Sequence, residues 1–168
     1  LSASIQEVHL YGPKRPPTWL DSLPLELAFR WHNSLRLFPG DADAPPEPSP
    51  VMVSTAGLTL PIRYSSKERA VLELLDELPE RESFHQVDAL MEGLSDLSPR
   101  RMQALLESCA NVKVKRLFLF FADRHGHAWR AHLDTSRVDL GAGKRVLVKG
   151  GKLDRRYNIT VPPDFGGQ

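Results

Sequence analysis

Apolar positions change their spacing twice along this chain. In the first 64 residues they fall in short runs with strand-like alternation, as in AFRWH and LRLF, broken by proline and glycine. Ile5–Tyr11 and Leu27–Phe38 contain such stretches. Val51–Thr55 and Leu58–Tyr64 read as two strands joined at Ala56-Gly57 in a tight hairpin. From Ser65 the spacing becomes helical. Val71, Leu74, Leu75 and Leu78 make one apolar stripe, and Val87, Leu90, Met91 and Leu94 a second. Met102, Leu105, Leu106 and Cys109 make a third; Val114, Leu117, Phe118 and Phe121 make the core side of a fourth. Serine opens the first three: Ser65-Ser66-Lys67-Glu68 is a capping box, Ser83-Phe84-His85-Gln86 repeats it, and Ser98-Pro99 places proline at the first helical position. Pro79 stops the first helix and Gly126 the fourth. Beyond Trp129, short extended pieces return at Arg137–Leu140, Arg145–Val148 and Tyr157–Thr160, with Gly141, Gly143, Gly150 and Gly151 between them. Pro162-Pro163 and Gly166-Gly167 mark a loose tail.

These elements predict an α+β fold: an N-terminal, mostly antiparallel β region, then a four-helix bundle, then a short β or extended basic tail. The expected organisation is a β-rich region over 1–64 and a helical region over 65–168, together one compact unit. Nine of the 14 prolines lie in the first 50 residues, and the tract 39–50 reads as a surface excursion.

Composition narrows the class. With 168 residues, 41% apolar and 26% charged, the chain has the make-up of an ordinary globular domain. No apolar run approaches the roughly 18–20 residues of a membrane helix, so no membrane partner is expected. A single cysteine excludes an internal disulfide framework and a cysteine-rich zinc site. The opening LSASIQEVHLY has neither the basic start nor the apolar core of a signal peptide, which points to the cytoplasm.

Charge changes the picture more. The net +1 is the sum of −1 over residues 1–66, −6 over 67–96 and +8 over 97–168. Two readings follow. The acidic and basic helical faces pack together and neutralise each other, or the C-terminal third presents a basic surface to an acidic partner, with RNA or DNA the first choice. The second reading selects Lys113, Lys115, Arg116, Lys144, Arg145, Lys149, Lys152, Arg155 and Arg156, with Trp129 and Tyr157 nearby to stack on bases.

Other chemistry is thin. Gly141-Ala-Gly143-Lys144-Arg145 resembles a phosphate loop only faintly: the glycine spacing fails, and Arg145 stands where a hydroxyl is needed. His125, His127 and His132 lack a carboxylate or cysteine at a ligand spacing, and a helix C-terminus accounts for the first two. Cys109 reads as a core residue, and Asp76-Glu77 with Glu80 and Glu82 as a solvated helix end. No catalytic residue, cofactor or metal is expected, and the chain reads as a non-enzyme.

The helical and tail region resembles the C-terminal part of AbiEi-family antitoxins. The resemblance rests on Ser66-Lys-Glu-Arg-Ala70, Leu90-Met-Glu-Gly-Leu94, Val112-Lys-Val-Lys-Arg-Leu-Phe-Leu119, Leu140-Gly-Ala-Gly-Lys-Arg145, and Gly150-Gly-Lys-Leu-Asp154 with Tyr157, Ile159 and Thr160. It implies a transcriptional regulator of a type IV toxin–antitoxin, abortive-infection system in bacteria. Such a protein represses its own operon by binding operator DNA through an N-terminal winged helix. Its C-terminal domain counteracts an AbiEii-type nucleotidyltransferase toxin. No such winged helix precedes Leu1, so the expectation is a C-terminal antitoxin portion. Its alternative is a module that binds the toxin directly through Phe84, Trp129 and the acidic helix.

Overall fold

The computed structural model describes residues 7–43, 51–55 and 58–165. Two compact units emerge, Leu1–Pro46 and Glu47–Gln168, and the division falls inside the proline-rich tract. The Ala56-Gly57 turn, residues 44–50 of that tract and Gly166-Gly167 lie outside the described residues.

In the first unit β1 (Glu7–Gly12) pairs with β2 (Ala28–Asn33) in parallel, from Glu7 opposite Ala28 to Gly12 opposite Asn33. This corrects the antiparallel expectation for these strands. Parallel neighbours need a crossover of about a dozen residues or more. Residues 13–27 supply it, with a 3-10 turn at Thr18–Ser22. One sheet face carries a polar ladder: Glu7 pairs with Arg30, His9 Nδ1 lies 3.0 Å from His32 Nε2, and Tyr11 stacks on His32 at 4.5 Å. The strand-like stretch to Phe38 breaks at Asn33, whose side chain accepts from the Leu35 N–H and starts a 3-10 turn at Ser34–Arg36. Leu37 and Phe38 are then buried.

The second unit opens with an antiparallel pair, β3 (Val51–Thr55) and β4 (Leu58–Ile62), Val51 opposite Ile62. Four helices follow: α1 (Lys67–Asp76), α2 (Phe84–Gly93), α3 (Pro99–Ser108) and α4 (Val112–His125). The class and the helix count are those expected. Ser66, Ser83, Ser98 and Asn111 are the N-caps, each accepting from the backbone N–H three residues on. The first cap is Ser66 rather than Ser65. Glu68 reaches out of its own helix to the Ser98 N–H, at 2.8 Å, tying the starts of α1 and α3. Gly126 closes α4 at φ +61°, a conformation that costs glycine nothing.

The fourth helix is the centre of this unit. It packs against α1, α2 and β6 (Ile159–Val161), and all nine residues from Val114 to Ala122 are buried. Leu117-Phe-Leu-Phe-Phe-Ala122 is apolar on every side, and a helix apolar all round is a core helix. Beyond it, a 3-10 turn at Thr135–Arg137 takes in the first residue of the extended piece expected over Arg137–Leu140, and Val138 is extended. The tail then forms a small sheet. β6 pairs antiparallel with β5 (Lys152–Asp154), and Arg145 bridges Ile159 in parallel.

Candidate nucleic-acid interface

The nine cations selected from the sequence separate into two groups. Those of α4 turn inward. Lys115 and Arg116 are each only 3% exposed, which corrects their assignment to a surface. Arg116 spends its guanidinium on four carbonyls: Nε donates to Leu140 at 2.8 Å, Nη1 to Gly143 at 2.6 Å and Asn158 at 3.3 Å, and Nη2 to Gly141 at 3.1 Å. Burial, with the neighbouring charge of Arg145, lowers its pKa. Lys113 is half-buried and caps α1, donating to the Asp76 and Leu78 carbonyls at 2.7 and 2.8 Å.

This clamp explains the glycine loop better than phosphate chemistry does. Gly141 and Gly143 take φ +59° and +77°, and their carbonyls turn toward a cation. A phosphate cradle requires the reverse polarity, with N–H groups converging on the ligand. Asn158, at φ +53°, shares its carbonyl between Arg116 and the Arg145 N–H, and Thr160 Oγ1 accepts from the N–H groups of Leu147 and Val148. Both were visible in the sequence as an asparagine beside a short strand and a threonine within it, with nothing to say which loop they would hold.

The second group is different. Lys144, Arg145, Lys149, Lys152, Arg155 and Arg156 are all exposed. They belong to one segment folded around β6, where residues 144–161 carry these six cations and a single acid, Asp154. Asp154 is occupied locally by the Tyr157 N–H at 2.7 Å. Arg156 also pairs with Asp123 at 2.8 Å while its side chain stays 68% exposed.

The aromatic side chains expected beside this surface are buried and do not offer a face to a base. Tyr157 is buried, donates to Asp123, and has its hydroxyl pKa raised by burial and by that carboxylate. Trp129 is buried against Phe118, its Nε1–H donating to the Leu94 carbonyl at 2.7 Å. Phe84 is buried too, so a toxin-docking surface built on Phe84 and Trp129 is not presented.

Many of the acids neutralise cations across helices, the first of the two charge readings. Asp88 takes Arg124 and His125, Asp76 takes Lys113 and Asn111, and Glu68 takes Arg101, whereas Glu73 takes Arg69 within α1 itself. Asp76 and Glu77 are therefore structural rather than a solvated helix end; Glu77 is buried and accepts from Arg81. His125 bonds Asp88, and His127 Nε2 lies 2.9 Å from the Met91 carbonyl. Among the described residues no three His, Cys, Asp or Glu side chains converge on a metal position. Cys109 is buried, which pushes its thiol pKa up. No helix among the described residues is long and apolar enough to cross a membrane.

Searches of curated proteins and of solved structures returned no significant match. A protein-family model does match, over residues 5–162, and its description reads transcriptional regulator, AbiEi antitoxin, type IV TA system. The matched span takes in both units, from within the residues preceding β1 to just past β6. The chain thus belongs to the AbiEi antitoxin family of type IV toxin–antitoxin transcriptional regulators.

Proposed function

We propose that this chain is the C-terminal antitoxin portion of its parent regulator. In this reading it acts in the cytoplasm, counteracts a nucleotidyltransferase toxin, supports autoregulation of their operon, and meets nucleic acid through Lys144, Arg145, Lys149, Lys152, Arg155 and Arg156. The observation that carries the nucleic-acid part is the pairing of six exposed cations with one locally occupied acid over residues 144–161. Charges so arranged contact phosphates and release counterions. Operator reading is the task of the winged helix that the family resemblance implies, and this surface adds sequence-independent affinity.

Fluorescence anisotropy with labelled duplex DNA and RNA tests the surface. Binding is expected at 50 mM salt, with a log–log salt slope of about −3 to −5 if most of the six cations each displace one counterion. Reversing Lys144, Arg145 and Lys149 to glutamate should abolish it. Absence of binding at low salt, or indifference to the reversal, overturns the surface assignment. Co-expression with the nucleotidyltransferase toxin tests the antitoxin role separately; growth arrest that persists beside folded chain refutes it.

A further inference from the structure

The seam between α2 and α4 holds an aromatic plug. Pro163–Phe165 forms a 3-10 turn just past the family-matched span, and Phe165 is 6% exposed. Its ring meets Phe84 edge-on at 5.8 Å, Phe121 edge-on at 6.3 Å and His85 at 5.0 Å. The Arg124 guanidinium covers it at 4.7 Å, held there by Asp88. The preceding carboxylate, Asp164, lies 3.2 Å from His85 Nε2. An acidic residue followed by phenylalanine is thus read by two phenylalanine rings in T-shaped contact, a guanidinium and an imidazole.

We infer that this seam is a peptide-docking site for an acidic residue followed by phenylalanine, and that the chain's own Asp164-Phe165 occupies it as an internal ligand. Three features argue for exchange. The plug is one buried ring on a short turn. Its ion pair is more than half exposed on both sides and correspondingly weak. The site's walls come from α2 and α4, which also pack on each other directly and carry the buried residues Val87, Met91, Leu117 and Phe118 besides the two phenylalanines. Tethering gives the internal ligand a high effective concentration, so an outside peptide competes poorly until the plug is weakened. The partner that fits is a protein segment carrying an exposed Asp-Phe or Glu-Phe pair.

The test uses the whole chain carrying Phe165→Ala and a synthetic peptide of residues 162–168, PPDFGGQ, titrated by calorimetry or tryptophan fluorescence. The expected result is saturable binding at least tenfold tighter than to the unaltered chain, and loss of binding when the peptide's phenylalanine is replaced by alanine. No binding to a variant whose far-UV circular dichroism matches the unaltered chain overturns the proposal. Equal binding by both chains overturns it as well. Should Phe165→Ala unfold, Phe165→Leu keeps an apolar plug while losing the ring-edge and guanidinium contacts, and the same titration applies. Weakening of peptide binding in the double variant Phe165→Ala/Arg124→Gln places the peptide in this seam; unchanged affinity places it elsewhere and overturns the assignment.

Discussion

Replacing Arg116 by methionine separates a structural clamp from a nucleic-acid ligand. Methionine keeps most of the apolar stem and removes every donor, leaving the carbonyls of Leu140, Gly141, Gly143 and Asn158 without the guanidinium. Hydrogen bonds to an ionised group contribute about 1.5–3 kcal/mol each. The two shortest here, at 2.6 and 2.8 Å, dominate, and the one at 3.3 Å adds little. Relief of the buried charge's desolvation offsets part of the loss. The net cost should be about 3–5 kcal/mol, a large fraction of the roughly 5–15 kcal/mol that holds a domain together. Arg116→Lys should recover about half, because one ammonium cannot span carbonyls on two sides of the loop. Denaturant unfolding followed by circular dichroism gives the magnitude. Amide exchange at Arg145 and Thr160, whose N–H groups bond the Asn158 and Arg145 carbonyls, gives the location. A cost below about 1 kcal/mol, or exchange at those two amides unchanged, refutes the clamp. A folded variant with unchanged stability and reduced nucleic-acid affinity would return Arg116 to the surface.

Three further outcomes follow from the same geometry. Gly151→Ala should lower the melting temperature more than Gly143→Ala: an added Cβ at 151 collides with the Val161 carbonyl oxygen, whereas at 143 it meets open space and costs only the strain of φ +77°, about 1 kcal/mol. The Glu68 carboxyl is buried, which opposes ionisation, yet the Ser98 N–H and Arg101 outweigh that and hold its pKa below the usual carboxylate range. A depressed folded-state pKa gives stability that is present above pH about 4.3 and lost as pH falls through the folded value, so acid unfolding of Glu68→Gln should be shallower than that of the unaltered chain. Tyr157 has the opposite sign: its raised pKa gives stability that is lost as pH rises past about 10, and Tyr157→Phe should reduce that alkaline loss while costing about 1 kcal/mol at neutral pH.

The fate of the nine cations shows which parts of this molecule are written locally and which are not. Helix starts are local, because a serine hydroxyl and the N–H three residues on belong to the same turn, and Ser83 and Ser98 were found where the sequence put them. The direction of β1 against β2 is not local. It depends on how far the chain travels between them, and the prolines of residues 13–27 read as interruptions rather than as a crossover. The side toward which Lys115 and Arg116 point is less local still. Four apolar positions at helical spacing predict one buried face, and on that premise the lysines and arginine of α4 stand in solvent. The premise fails because α4 has no solvent face over Val114–Ala122. The signal was present in Leu117–Ala122, six apolar residues in a row, which no one-sided helix can place.

Once α4 is taken as a central helix, its inward-facing cations must find acceptors inside the fold, and backbone carbonyls at loop and helix ends supply them. Lys113 finds them at the end of α1, and Arg116 in the Leu140–Gly143 loop. The glycines of that loop are then required by a cation looking outward from the core, and the basic residues that follow are left outside by the same turn. Motif and charge therefore separate within the tail: Gly141, Gly143, Tyr157, Ile159 and Thr160 build the protein, and the cations from Lys144 to Arg156 lie at its surface.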